Sequence, residues 1–300
     1  MGVKINKTAM VTICGRPNVG KSTLTNALAG EKLAIVSSKP QTTRNRITAV
    51  VNRGGTQLVV MDTPGFHRPR TRLGDYMVNV VKDSIPDVEL VLLLVEPIAN
   101  IGEQEAALIE NIRNSGCPAI LVINKIDAVE KEALLAVMAL YSGAYAFDAI
   151  FPISALRRDG TEALLQEMEK YAVEGPALFP EGVDTDQPDR QVCAELVREK
   201  LLRCLDKEVP HGTAVEVTQF SERDDGVIDL SVTIYCEKAS HKGIIIGKNG
   251  AMLKKIGESA RRDIERFMGT KVFLQTWVKV RENWRDSDAM LRNFGYGGNR

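Results

Sequence analysis

Apolar positions along the chain follow one rhythm in its first half and another in its second. Up to about residue 153 they gather in short β-branched runs at 8–15, 47–51, 57–61, 90–95, 119–123 and 149–153, each followed by a turn or polar motif. These runs read as strands. LVLLLV at 90–95 has no polar position to turn towards water, so it predicts a strand buried on both faces, and it is far too short to cross a bilayer. Between the first two runs, 22–28 has helical spacing. From 190 to 205 the apolar residues Val192, Leu196, Val197, Leu201 and Leu202 recur on one helical face. Two extended runs follow, 213–220 and 227–235, with Ser221–Gly226 between them as a hairpin turn. Then come an apolar piece at 243–246, a loop, a long helix at 251–268 and a last strand at 271–280, in which Trp277 is expected to be core. The second half therefore reads α-β-β-α-α-β.

The predicted fold is α/β: a nucleotide-binding domain with a mostly parallel sheet flanked by helices, followed by a smaller α+β domain. Three hundred residues exceed what one core usually organises. Residues 1–175 carry 19 basic and 19 acidic side chains, whereas 176–189 carry four acidic and no basic ones, together with Pro176, Pro180 and Pro188. That composition marks 176–189 as a linker, which leaves 190–300 as the second domain with a C-terminal tail. Net charge is zero, yet between Lys238 and Arg281 eleven Lys or Arg face three acidic residues, a basic patch. The five cysteines are scattered and odd in number, with no CxxC pair, which argues against a disulfide framework or a zinc site and for a cytoplasmic protein.

The first-domain chemistry begins at Gly15-Arg-Pro-Asn-Val-Gly-Lys-Ser22, a GxxxxGKS loop between strand and helix. Its glycines let backbone N–H groups of the loop, those of Gly15, Asn18, Val19 and Gly20 among them, face phosphate oxygens at a helix N-terminus. Lys21 adds a full charge, Ser22 offers a hydroxyl to Mg²⁺, and Thr23 follows in the same turn. Asp62-Thr-Pro-Gly65 closes the run at 57–61, with Asp62 suited to Mg²⁺ and the Gly65 N–H to a γ-phosphate. Asn124-Lys125-Ile126-Asp127 closes the next buried strand. Asp127 can accept from guanine N1–H and the exocyclic amine, donors that adenine lacks, so the nucleotide is GTP or GDP. At Ser154-Ala155-Leu156 the Ala155 N–H is a candidate donor to the guanine oxygen. In Pro40-Gln-Thr-Thr-Arg-Asn45, Thr42 or Thr43 is expected to close over Mg²⁺ and the γ-phosphate, with Thr43 favoured. Phe66 stands where Ras-type proteins carry the glutamine that orients water, so intrinsic hydrolysis should be slow. Lys21, Thr43 and Asn18 are the catalytic candidates.

In the second domain, Gly247-Lys-Asn-Gly250 falls between two helical stretches inside the basic region. Such a GxxG loop lets a sugar-phosphate backbone approach closely. Ile246, Lys248, Asn249, Lys254, Lys255 and Arg262 join the two glycines as RNA-binding candidates. A solvated basic helix is the plainer alternative.

GRPNVGKS, PQTTR, DTPG and NKID, followed by GKNG and a closing LRNFGYGG, resemble the Era family of bacterial GTPases, with a C-terminal KH domain of type II order. The resemblance covers nearly the whole chain. It implies GTP hydrolysis, binding near the 3′ end of small-subunit ribosomal RNA, and a part in assembling the small ribosomal subunit. It also implies peripheral association with the inner membrane, and the chain is expected to be a monomer. The loop GxxNxGKS further resembles those of GTPases that use K⁺ where others use an arginine finger, which makes Asn18 a candidate K⁺ ligand. Two other readings are an RNA-binding assembly protein that binds nucleotide without turning it over, and a related GTPase acting on another RNA.

Overall fold

The computed structural model describes residues 4–296. Strand β1 (Lys7–Cys14) leads through the glycine loop into α1 (Lys21–Ala29). Next come β2 (Ile47–Arg53), β3 (Thr56–Asp62), α2 (Arg72–Asp83), β4 (Leu90–Val95), α3 (Glu103–Ser115), β5 (Ala119–Ile123), α4 (Lys131–Ala144), β6 (Ala149–Pro152), α5 (Thr161–Met168) and the short β7 (Val173–Glu174). They form one sheet in the order β2-β3-β1-β4-β5-β6, with β7 added antiparallel against the start of β1. From β3 across to β6 the strands are parallel, whereas β2 runs antiparallel to its neighbour β3.

The apolar run at 90–95 owes its lack of alternation to this arrangement. Leu90, Leu92 and Leu94 enter one core with Leu24 and Leu28 of α1 and Leu164 of α5. Val91, Leu93 and Val95 enter the other with Leu108 and Ile112 of α3 and Val137 of α4. A strand covered by helices on both faces has no solvated side to mark in sequence. Because the strands are parallel, their C-terminal ends share one edge of the sheet, and the glycine loop, DTPG, NKID and SAL all leave from that edge. Register does the rest: Ile13 is level with Asp62, and Val95 with Ile123.

The proline-rich segment expected as a linker is held along the sheet edge as far as Asp186. Gln57, almost fully buried, accepts from the backbone N–H of Leu178 and Phe179 at 2.8 and 2.9 Å, and its amide donates to the Phe179 carbonyl. Val50 N–H donates to Asp184 O at 2.9 Å, and the Thr48 hydroxyl to the Asp186 carboxylate at 2.9 Å.

By the clustering of its contacts the chain falls into two units, one comprising residues up to Arg70 and Gly74–Asp186, the other Thr71–Leu73 and residues from Gln187 onward. In the second unit, α6 (Asp189–Cys204) precedes the hairpin of β8 (Ala214–Glu222) and β9 (Ile228–Cys236). Helices α7 (Ala239–Ile246) and α8 (Ala251–Met268), strand β10 (Val272–Val280) and the short α9 (Asp288–Asn293) complete it. The sheet order is β10-β9-β8, with β10 parallel to β9. Ile256, Ala260 and Ile264 of α8 and Leu196, Val197 and Leu201 of α6 are buried, as are Leu230, Val232 and Ile234 of β9. Lys200 of α6 pairs with Asp263 of α8, which pins the two helices to each other.

Trp277 departs from its expected place. Position parity along β10 puts Val272 and Val278 inside and Trp277 outside, where it is 47% exposed. The tryptophan of the core is instead Trp284, with no exposed surface. Its indole N–H donates to Gly212 O at 2.9 Å, and its ring lies edge-on to Phe294. Of the closing LRNFGYGG, Gly297 and Gly298 lie outside the described residues. Trp284→Ala removes a fully buried indole and its hydrogen bond, and should cost roughly 3–5 kcal/mol. The check is a urea titration of the full chain, with fluorescence of the remaining Trp277 reporting the second domain. An unshifted midpoint would show that the site is not the structural centre described.

Candidate nucleotide site and nucleic-acid groove

The loops at the shared sheet edge enclose a cavity of about 470 Å³ whose walls include Asn18, Lys21, Ser22, Thr43, Gly65 and Asp127. Gly20 takes φ 102° at the start of α1, and a Cβ there would fall 2.3 Å from the Asn124 amide nitrogen. Gly65 is required for a different reason: a Cβ would lie 2.7 Å from Pro17 Cα, so the DTPG turn and the phosphate loop touch backbone to backbone. Asn18 has φ 65°, a left-handed geometry that asparagine tolerates better than most residues, so the loop's shape alone accounts for it. Val19 is buried, and Thr23 lines the cavity.

Lys21 is almost wholly buried and donates to the carbonyls of Gly15 and Arg16 at 3.1 and 2.9 Å. Burial lowers its pKa to about 8, against the opposing pull of Asp62. Asp62 has no exposed surface, and burial raises it to about 6, resisted by Lys21, Ser22 and Thr43. The hydroxyls of Ser22 and Thr43 lie 2.7 Å apart, and Thr43 donates to Asp62 Oδ2 at 3.3 Å. Asp62 Oδ1 is buried without a hydrogen-bond partner. A carboxylate oxygen without a partner beside two converging hydroxyls suits a hard divalent cation that prefers oxygen ligands. Thr42 also lines the cavity, but its hydroxyl donates to the Lys39 carbonyl of its own loop at 2.6 Å.

Phe66 is turned into the apolar cluster under α2 and α3, away from the cavity, while its backbone N–H donates to Gly15 O at 3.0 Å. The one arginine of the phosphate loop, Arg16, forms an ion pair with buried Glu105 and lies 3.6 Å from Glu96. Glu96 also holds the Lys125 ammonium at 2.5 Å. Neither carboxylate is apparent as a site residue from sequence. The nearest signal is that Glu96 directly follows a buried strand, as Asn124 does, while Asp62 ends one.

At the base end, Asn124 bridges two loops, donating to Val19 O at 2.8 Å and accepting from Ala155 N–H at 2.9 Å. The Ala155 N–H, expected as a donor to the guanine oxygen, is thus engaged by Asn124 in this structure. Ser154 donates to Asp127 Oδ1 at 2.7 Å, and Arg157 lies 3.5 Å from Oδ2. The Ser154 bond, and more weakly Arg157, hold the Asp127 carboxyl below its usual range, so it presents an acceptor. Leu156 is 78% exposed at the rim.

In the second unit GKNG forms a single tight turn between α7 and α8. Gly247 (φ 72°) leaves no room for a side chain, since a Cβ would sit 2.7 Å from Met252 Cβ. Lys248 and Asn249 are exposed at its tip and Ile246 is half-buried. Beside it runs a groove lined by Gly250, Leu253, Lys254 and Arg261 on one wall and by Leu274 and Thr276 of β10 on the other. Lys254 borders this groove. Lys255 and Arg262 do not, because each is one residue, or about 100°, round the helix from a groove-lining neighbour. Leu253, Gly257, Glu258, Arg261 and the β10 wall are the groove residues outside the set of RNA-binding candidates.

Residues 10–125 match the family described as 50S ribosome-binding GTPase, and residues 208–285 match the KH domain family. GTPase Era of Ruminiclostridium cellulolyticum is 52% identical over 294 residues, 98% of this chain and 99% of that protein. GTPase Era of a Clostridium perfringens strain is 50% identical over 290 residues, covering 97% and 98% respectively. Among solved structures, Era in complex with MgGDPNP and nucleotides 1506–1542 of 16S ribosomal RNA superposes with TM-score 0.94 at 36% identity, covering 98% of this chain and 100% of that one. A variant of Aquifex aeolicus Era bound to GDP and AlF4⁻ does so with the same score and identity over 97% of this chain and 100% of its own. Two domains in this order, matched end to end at half identity, place the chain in the Era family of GTPases.

Proposed function

We propose that this GTPase is a GTP-dependent switch that binds small-subunit ribosomal RNA near its 3′ end through its KH domain and assists assembly of the small ribosomal subunit. The observation that carries the reading is the full-length likeness to Era in complex with MgGDPNP and 16S ribosomal RNA. The division of labour follows the sequence: residues 1–175 with the strap that follows them hold nucleotide, and 190–300 hold RNA. Cytoplasmic residence as a monomer, with peripheral contact to the inner membrane through basic side chains, belongs to the same proposal. Among the described residues no helix is long and apolar enough to cross a membrane.

In this reading Asp127 accepts from guanine, Lys125 and Asn124 hold its loop, and Lys21 with the backbone of residues 15–20 binds the phosphates. Ser22, Thr43 and Asp62 hold Mg²⁺, which supplies positive charge to the phosphate oxygens. Thr43 is the residue through which the loop at 40–45 responds to the γ-phosphate, because its hydroxyl meets both Ser22 and Asp62. Phe66 cannot orient water, and Arg16 is committed to Glu105 and Glu96, so neither supplies what hydrolysis lacks. Asn18 as a K⁺ ligand is the remaining candidate within the loop.

Asp127→Asn should lower GTP affinity by roughly a hundredfold or more and favour XTP, whose ring carries a carbonyl in place of the exocyclic amine. Competition of fluorescent GTP by XTP reads this directly, and unchanged GTP affinity would remove Asp127 from the base site. GTP turnover, slow in Na⁺, should rise when K⁺ replaces it; equal rates at equal nucleotide occupancy would reject the ion. Replacing Lys248 and Asn249 together by Asp should weaken binding of the ribosomal RNA 3′-end sequence by at least about tenfold. The salt dependence of binding should become shallower by roughly 0.7 in log–log slope for the lost lysine contact. Filter binding across several salt concentrations tests both, and full-strength binding by the double variant would contradict the groove assignment.

A further inference from the structure

Strand β10 is an edge strand, and its two faces differ in chemistry. Its inward Leu274 and Thr276 form one wall of the groove beside Gly250 and Lys254. On the opposite face every second residue is exposed: Lys271, Phe273, Gln275, Trp277, Lys279 and Arg281. Over 271–281 there are three basic side chains and no acidic one. Phe273 and Trp277 are 49% and 47% exposed and stand four residues apart on the same face, about 13 Å along the strand.

Lysines on an edge strand are commonly there to prevent sheet-to-sheet association. That purpose explains Lys271 and Lys279, but two half-exposed aromatic rings between them work against it. Carboxylates across the sheet are already engaged: Asp229 pairs with Arg223, whose guanidinium lies 5.2 Å from the Phe273 ring centre, and Glu216 accepts from the Tyr235 hydroxyl at 2.8 Å. What remains outward is cation, aromatic, amide, aromatic, cation, cation. Single-stranded nucleic acid has the complementary chemistry, since its bases stack on aromatic faces and its phosphates pair with flanking cations.

We propose that this outer stripe of β10, centred on Trp277 and Phe273, is a stacking platform for single-stranded RNA that continues out of the adjoining groove over the sheet edge. The proposal rests on the RNA-binding reading above and extends it. A GxxG groove holds about four nucleotides, so the platform takes those that flank them and reads stacking rather than base edges.

The two tryptophans make the test specific. Trp277 is exposed and Trp284 fully buried, so quenching of intrinsic fluorescence on RNA addition reports Trp277. The full chain is titrated with the 3′-end small-subunit ribosomal RNA sequence as an oligonucleotide of about four and another of about twelve nucleotides. The longer RNA should quench fluorescence and bind about tenfold more weakly to Trp277→Ala, while Trp277→Phe retains most of the affinity. The short RNA should bind all three proteins alike. Equal affinity of Trp277→Ala and the unaltered chain for the longer RNA would overturn the platform. So would quenching by phosphatidylglycerol vesicles in place of RNA. If binding is lost on replacing Lys248 and Asn249 but not at Trp277, the groove stands and the stripe falls. No binding of either RNA by the unaltered chain would overturn the stripe and the RNA reading together.

Discussion

Asp62 ends β3 with no exposed surface, and removing a carboxylate from water costs several kcal/mol unless its surroundings compensate. The compensation here is partial. Thr43 reaches one oxygen, the buried ammonium of Lys21 lies close enough to resist the upward shift of the carboxyl, and the other oxygen has no partner. The geometry of the sheet creates this situation. Parallel β1 and β3 in register bring Asp62 level with Ile13, two residues before the phosphate loop, and the acid cannot retreat without breaking the strand pairing. The neighbours are thereby selected: hydroxyls at 22 and 43, a lysine at 21, and a glycine at 65 where no side chain fits.

A second constraint works along the edge of the sheet. Asn124 joins the phosphate loop to the loop at 155 by two hydrogen bonds, and Glu96 lies between Lys125 and Arg16. Loops from four strands are thus tied to one another through side chains. The region around residues 40–45 is fastened by other atoms: Thr43 meets Ser22 and Asp62, Asn45 accepts from the Tyr76 hydroxyl at 3.0 Å, and Arg44 is buried. The base end and the threonine loop therefore do not share their fastenings.

Much of this was legible in the sequence because it rests on local pattern. Continuous apolar runs marked strands buried on both faces, and GxxxxGKS, DTPG, NKID and GKNG sit at the turns their glycines and polar ends imply. What escaped depends on which way a side chain points or on partners far along the chain. Trp277 was misplaced because only the parity of β10 decides whether a residue faces in or out, and a strand with apolar residues on both faces hides its parity. The bond of the Ala155 N–H joins it to a partner 31 residues earlier, Asn124, which no local pattern announces. Glu105 is on a helix with charged neighbours and resembles any solvated acid until the fold brings it to Arg16. Thr43 was separable from Thr42 only once the hydroxyl of Thr42 was seen bonded to its own loop.

The strap from Leu178 to Asp186 has a bearing on how the protein can be divided. Strand β2 is the outer strand of its sheet, and Val50 N–H is capped by the chain's own Asp184 carbonyl, while Gln57 is satisfied by Leu178 and Phe179. A fragment cut where the prolines begin, at 175, would leave a backbone donor of that strand and the buried side-chain carbonyl of Gln57 without partners, and so an open template for pairing between molecules. A fragment that ends after Asp186 carries its own edge cover. The limit of an autonomous nucleotide-binding piece is therefore set by the bond from the Thr48 hydroxyl to Asp186, eleven residues beyond the point at which composition changes.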